Sequence, residues 1–147
     1  MEIRSDRRYS LDLGRDVVWG SLARVERYPT WWPWLREFDG TRLATGERWR
    51  CVVRPPLPYL LRFAVVLTDV VDEHRVEARV DGDIVGEATL TLTARPGGCE
   101  IRIVSRLSPA SRLLRAMAGL ARPVAVFGHD WVMDTGLRQF RANALGC

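Results

Sequence analysis

The stretch IVGEATLTLT, residues 84–93, puts Ile84, Gly86, Ala88, Leu90 and Leu92 on one side and Glu87, Thr89, Thr91 and Thr93 on the other. A period of two is the geometry of a strand with one buried face. The pattern runs outward in both directions. Downstream, Ile101, Ile103, Ser105 and Leu107 oppose Glu100, Arg102 and Arg106; upstream, Val76, Ala78 and Val80 oppose Arg75, Glu77 and Arg79. Leu61, Phe63, Val65 and Leu67 line one face of an earlier strand, and Trp49, Cys51 and Val53 alternate with Arg48, Arg50 and Arg54. Ile3, Tyr9, Leu11 and Leu13 share one side of a first segment. About six or seven strands are expected. Their links (Thr45-Gly46, Asp72-Glu73, Asp81-Gly82, Pro96-Gly97-Gly98) are too short for anything but antiparallel neighbours. Asp81-Gly82 has the chemistry of a type I′ hairpin turn.

Helices are expected only at the two ends of this meander. Asp16 is placed to cap a helix through Val17, Val18, Leu22 and Val25 that stops at Tyr28-Pro29. Ser108-Pro109 reads as the start of a helix through Leu113, Leu114, Met117 and Leu120, which Pro123 kinks or restarts. A long helix is expected over residues 124–145, with Val126, Met133, Leu137, Phe140 and Ala144 on its apolar arc and Asp134 and Arg138 spaced for an ion pair. An antiparallel meander closed by one long amphipathic helix has an economical solution: a single α+β domain, residues 1–147, whose curved sheet wraps around that helix. One helix cannot fill the concave face, so a ligand cavity is expected between them.

This order of elements resembles the helix-grip fold of the SRPBCC superfamily, which includes START lipid-transfer domains, birch-pollen-type allergens and polyketide cyclase/dehydrase-like proteins. Val17-Val18-Trp19, Tyr28-Pro29-Thr30-Trp31-Trp32-Pro33-Trp34 and Gly128-His129-Asp130-Trp131-Val132-Met133 are similar to the bacterial polyketide-cyclase-like branch. The resemblance implies a hydrophobic small-molecule ligand and, if the protein is an enzyme, cyclase or dehydratase chemistry. The other class it leaves open is a non-catalytic carrier or sensor of lipid, quinone or isoprenoid ligands.

Composition removes several alternatives. All 22 basic residues are arginine, which excludes lysine Schiff-base chemistry and a Walker lysine. Three scattered cysteines and two histidines give no metal-ligand spacing, so neither a metal nor a cofactor is expected. The net charge of +4 comes from arginines interleaved with acids, so nucleic acid is not an expected partner. The longest apolar run, Leu57 to Leu67, is broken by Pro58 and Arg62, so no stable membrane insertion is expected. No apolar signal core lies within the first sixteen residues, and a cytoplasmic monomer or homodimer is the expectation.

The residues able to carry chemistry fall into three groups. Trp31, Trp32 and Trp34 sit in a proline-stiffened segment, readable as an aromatic wall for a ligand or as a plug between helix and sheet. Phe63, Val65, Trp49, Leu90, Ile103 and Met133 are expected to line the cavity, with Tyr59 on a rim loop. His129 and Asp130 fall near the apolar arc, where they would exchange protons with a carbonyl substrate or else be satisfied by hydrogen bonds and an arginine. Arg7 and Tyr28 are candidates to polarise a carbonyl, Arg7 being either inward and paired or an exposed strand end. Ser5, Ser105, Cys51 and His74 share the inward register. Arg112, Arg115 and Arg122 form a solvated helix face or a membrane-facing one.

Overall fold

The computed structural model describes residues 2–56, 59–112, 115–116 and 122–146, of which residues 122–125 are described in backbone only. In chain order the elements are β1 (Ile3–Leu11), α1 (Arg15–Leu22), a 3-10 turn (Val25–Arg27), α2 (Tyr28–Trp31), β2 (Leu35–Phe38), β3 (Arg48–Val53), β4 (Leu61–Val71), β5 (Arg75–Gly82), β6 (Ile84–Arg95), β7 (Gly98–Pro109) and α3 (Arg122–Asn143). The seven strands form one antiparallel sheet in the order β1-β7-β6-β5-β4-β3-β2. The long C-terminal helix crosses its concave side, which is the helix-grip arrangement.

The alternating segments all become strands, and their registers align the apolar rows. Ile103 of β7 pairs with Leu90 on one side and Arg7 on the other, and Ser105 sits between Ala88 and Ser5. In β4 a bulge between Leu67 and Asp69 shifts the alternation so that Val70 joins Leu67 on the core face. Val18, Trp19 and Leu22 of α1 close one end of the core together with Leu11, Cys99 and Ile101.

Several local expectations give way to tertiary geometry. The strand without a sequence signal is β2, whose four residues have no clean alternation and hold their place by pairing with β3. The cap of α1 is Gly14, with no side-chain hydrogen bond; Asp16 lies in the first turn instead, where its charge faces the positive end of the helix. The helix ends at Leu22, before Val25. Tyr28-Pro29 starts the one-turn helix α2, because proline in a first turn forfeits no hydrogen bond. Between β5 and β6 the chain reverses as expected without a type I′ turn: Gly82 has φ 136° but Asp81 is not left-handed, and the Asp83 side chain accepts from the Arg62 amide. Ser108 and Pro109 extend β7 and do not begin a helix, and Pro109 stands opposite Ile84 at the strand's last position. The helix expected through Leu113, Leu114, Met117 and Leu120 lies largely outside the described residues. His74 is exposed in the β4–β5 turn beside Arg15 and does not face inward.

The buried residues of α3 are Gly128, Thr135, Gly136 and Phe140, with Val126, Val132, Met133 and Leu137 half-buried, so of the expected arc Phe140 alone is fully covered. Glycine and threonine add little to an apolar wheel, yet they are the residues that let other chains approach. α3 packs against α2, and Phe140 on its inner side is buried in the core.

Two glycines predict opposite responses. A Cβ on Gly86 (φ 150°) would lie 1.8 Å from the Arg106 carbonyl oxygen, whereas one on Gly20, exposed in α1, meets nothing within 4 Å. Urea denaturation should show Gly86→Ala destabilised by about 2–4 kcal/mol and Gly20→Ala stabilised by about 0.5–1 kcal/mol.

Candidate functional site

The aromatic segment is the first wall of the site. Tyr28 sits at the centre of a cluster, with ring centroids 5.4 Å from Trp31, 4.9 Å from Trp32, 5.5 Å from Phe38 and 5.7 Å from Trp49. Trp31 packs edge-on against Phe140 of α3 at 5.5 Å. Tyr28, Trp31 and Trp49 are buried, so these three form the plug between α2 and the sheet. Trp49 therefore does not line a cavity, and its indole N–H donates to the Arg42 carbonyl at 3.0 Å. The Tyr28 hydroxyl donates to the Leu22 carbonyl at 2.6 Å, and burial pushes its pKa well above the ordinary phenol range. A phenol so held has no proton to offer a substrate.

Trp32 and Trp34 are half-buried and reach the helix. Trp32 Nε1 donates to the Gly136 carbonyl at 2.9 Å, Trp34 Nε1 to Gln139 Oε1 at 2.9 Å, and Asn143 Nδ2 to the Trp31 carbonyl at 3.0 Å. Gly136 makes this possible, since its Cα faces Trp34 so closely that a Cβ there would already touch the indole ring at 3.4 Å.

The opposite flank of α3 is tied to β1. Alternation along β1 turns Arg7 inward, and its guanidinium donates to Asp130 Oδ1 at 2.7 Å and to Asp134 Oδ1. Burial disfavours the Arg7 charge, but the neighbouring Tyr9, Asp134 and Asp130 outweigh that cost and hold its pKa above the ordinary arginine value. Asp134 thus pairs across to the sheet and not with Arg138, because two carboxylates one turn apart match the fork of one guanidinium. His129 Nδ1 lies 3.4 Å from Asp130 Oδ1, with the imidazole largely covered and the Asp130 side chain 45% exposed. His129 Nε2 has no partner among the described residues. Arg7, distant in sequence from the adjacent His129 and Asp130, is therefore brought into one chain of contacts with them.

Between these flanks lies the apolar floor. Phe63, Val65, Val76, Ala78, Leu90 and Ile103 face the core side of the sheet, yet all remain only half-buried. Met133 is half-buried as well, on the β1-facing flank of α3. Tyr59 is half-buried in the loop before β4, where burial raises its pKa. Cys51, buried beneath the plug, has its thiol pushed up to about 12 by burial and by Asp39, which removes it as a nucleophile. Two polar atoms went unnoticed in the sequence: the buried Tyr9 hydroxyl, which lies against Arg7 and favours its charge, and Ser105 Oγ, buried without a hydrogen-bond partner among the described residues. Tyr9 counted only as an apolar member of the β1 face, and Ser105 as a small core filler.

A depression of about 580 Å³ lies on the outer face of the sheet and is lined by residues including Arg48, Arg50, Val52, Arg62, Ala64, Asp39 and Asp81. Its charges are mixed, and Arg62 faces Glu37 at 3.9 Å. No helix of the described residues is long and apolar enough to cross a membrane, and those residues hold no cluster of three metal-ligating side chains.

A family model described as polyketide cyclase/dehydrase and lipid transport matches residues 4–144. The chain belongs to this family. Solved structures share the fold at low identity. A protein of Thermus thermophilus is 18% identical with a TM-score of 0.68, covering 99% of this chain and 98% of its own. The Zhui aromatase/cyclase of Streptomyces sp. R1128 is 13% identical with a TM-score of 0.66, covering 99% of both chains. Ara h 8.0201 is 8% identical with a TM-score of 0.60, covering 76% of this chain and 81% of its own. No curated protein matches the sequence.

The β1 flank makes a stability prediction. Arg7→Met keeps the aliphatic stem but leaves Asp130 and Asp134 side by side without a counter-ion. Because both carboxylates are substantially exposed, the expected loss is about 1–2 kcal/mol, read by urea denaturation. The loss should shrink as salt is raised.

Proposed function

We propose that this member of the family binds a hydrophobic small molecule between the concave sheet and α3, and that His129 moves protons on it. The reading is supported by a half-buried apolar row, Phe63, Val65, Leu90 and Ile103, on the face of the sheet that α3 crosses, and by a histidine on that helix whose Nδ1 lies 3.4 Å from a carboxylate. An apolar floor with a few convergent polar groups is the usual form of a small-molecule site. A carboxylate on Nδ1 orients the ring and stabilises the imidazolium, leaving Nε2 to take or give the proton.

The chemistry this arrangement fits is an aldol cyclisation followed by dehydration, in keeping with the family's cyclase/dehydrase members. His129 removes an α-proton; the carbanion adds to a second carbonyl, and the new alkoxide takes a proton back from the imidazolium. Loss of a further α-proton together with the hydroxyl, which leaves as water, forms the double bond. Arg7 is placed to stabilise an enolate oxygen, provided Asp130 and Asp134 share it with the substrate. Trp32, Trp34, Tyr59 and Met133, all half-buried, are the further candidate ligand contacts. The carrier reading is favoured by one observation: Arg7 already has two carboxylate partners, which suits a structural tie as well as a catalytic group.

His129→Asn separates the two. With a poly-β-keto thioester mimic as substrate, the wild-type protein should release cyclised, dehydrated product, and the variant should stay folded yet lose about 10²-fold of turnover. No product from the wild type, with the mimic bound equally well by both proteins, would establish the carrier.

A further inference from the structure

The outer face of an antiparallel sheet meets water, and charged side chains there need no ligand to explain them. The depression over β3 and β4 departs from that pattern in its floor and in its charges. Val52 and Ala64 stand on the outer face in step with Arg48, Arg50 and Arg62, yet they are only 8% and 5% exposed. Ala64 is a short side chain ringed by long ones: Arg50 stands opposite it on β3, Asp81 opposite it on β5, and Arg62 two residues along β4. A methyl group among such neighbours leaves a hollow, and its volume of about 580 Å³ is that of a small-molecule site. The carboxylates of the rim are engaged. Asp39 Oδ1 accepts the Arg50 amide at 2.7 Å, Asp81 pairs with Arg79 at 3.2 Å, and Glu37 lies 3.9 Å from Arg62. The guanidiniums of Arg48 and Arg50, by contrast, meet neither a carboxylate nor another acceptor among the described residues. They project from one face of β3 at positions about 7 Å apart, so both can reach a single anion.

We infer that this hollow is a second binding site, on the opposite face of the sheet from the concave space, and that it takes a small organic anion. Arg48 and Arg50 hold the charged oxygens of a carboxylate or phosphate monoester, and the apolar body of the molecule covers Val52 and Ala64. Inorganic phosphate would leave that floor uncovered, and a hydrocarbon would leave the two guanidiniums unpaired; a molecule with both parts uses both features. Asp81, across Ala64 from Arg50, repels a second anionic group, so the ligand carries its charge at one end. Guanidinium forks match the oxygens of either anion and stack on flat rings, which suits an aromatic body.

Three probes of one skeleton test this: 1-naphthoate, 1-naphthyl phosphate and the uncharged 1-naphthalenemethanol. In titrations of the full chain followed by methyl NMR, at least one of the anions should shift the Val52 and Ala64 resonances and bind at least about tenfold more tightly than the alcohol. Arg48→Gln and Arg50→Gln should each weaken that binding about three- to tenfold. Both side chains are exposed, so the melting temperature should not move. Added salt should weaken anion binding to the wild type. Whichever anion binds the more tightly names the charged group that the site prefers. Equal binding of anions and alcohol, or anion binding indifferent to both substitutions, would overturn the inference. Shifts confined to Leu90 and Ile103 would overturn it as well, by placing the probes in the concave space, and so would an absence of shifts at Val52 and Ala64 with the probes at millimolar concentration.

Discussion

Everything on the concave side depends on how α3 is held. The helix is tied at both of its flanks. On one side Arg7 of the edge strand β1 grips Asp130 and Asp134, and on the other the indoles of Trp32 and Trp34 and the amide of Asn143 bond it to the α2 segment. These contacts are directional, unlike apolar packing, and they work at a fixed separation. Phe140 on the inner side of the helix is buried in the core, while Phe63, Val65, Leu90 and Ile103 face the core side of the sheet and are only half-buried.

Both flanks serve the same end by different chemistry. The aromatic plug supplies bulk: Tyr28, Trp31, Trp49 and Phe38 seal one end of the fold with area that no aliphatic set of the same length could offer. The β1 flank supplies charge, through Arg7 and the two carboxylates of α3. His129 lies beside Asp130 on the same helix, with its Nδ1 3.4 Å from Asp130 Oδ1.

The strands were legible because a half-buried antiparallel sheet writes its burial into the sequence as a period of two. β2 was not, because LREF has no face pattern and owes its conformation to β3. The helix was legible in extent, within two residues at each end, but its orientation was not. Gly128 and Gly136 are buried because they are small, and an apolar wheel gives small residues little weight; Val126, Met133 and Leu137 drew the expected arc toward β1. Within the site, the inward Arg7 was readable from alternation, but its bond to Asp130 was not, since the two lie at opposite ends of the chain. Tyr28 read as a carbonyl activator because sequence shows a hydroxyl and hides its acceptor. Tyr9 was missed for the converse reason, its ring fitting an apolar row while its hydroxyl lies against Arg7.

The close stacking in the plug has an optical consequence. Trp32 and Trp34 lie with ring centroids 5.6 Å apart at an interplanar angle of 27°, and Trp31 and Trp32 at 5.8 Å and 89°. Indoles at such separations do not absorb independently; their transitions couple, and a fixed chiral arrangement of coupled transitions gives strong circular dichroism in the region where isolated tryptophan is nearly silent. Because two of these indoles are hydrogen-bonded to α3, that signal reports the seating of the helix itself. The fold thus carries its own chromophoric gauge of whether the concave space is closed.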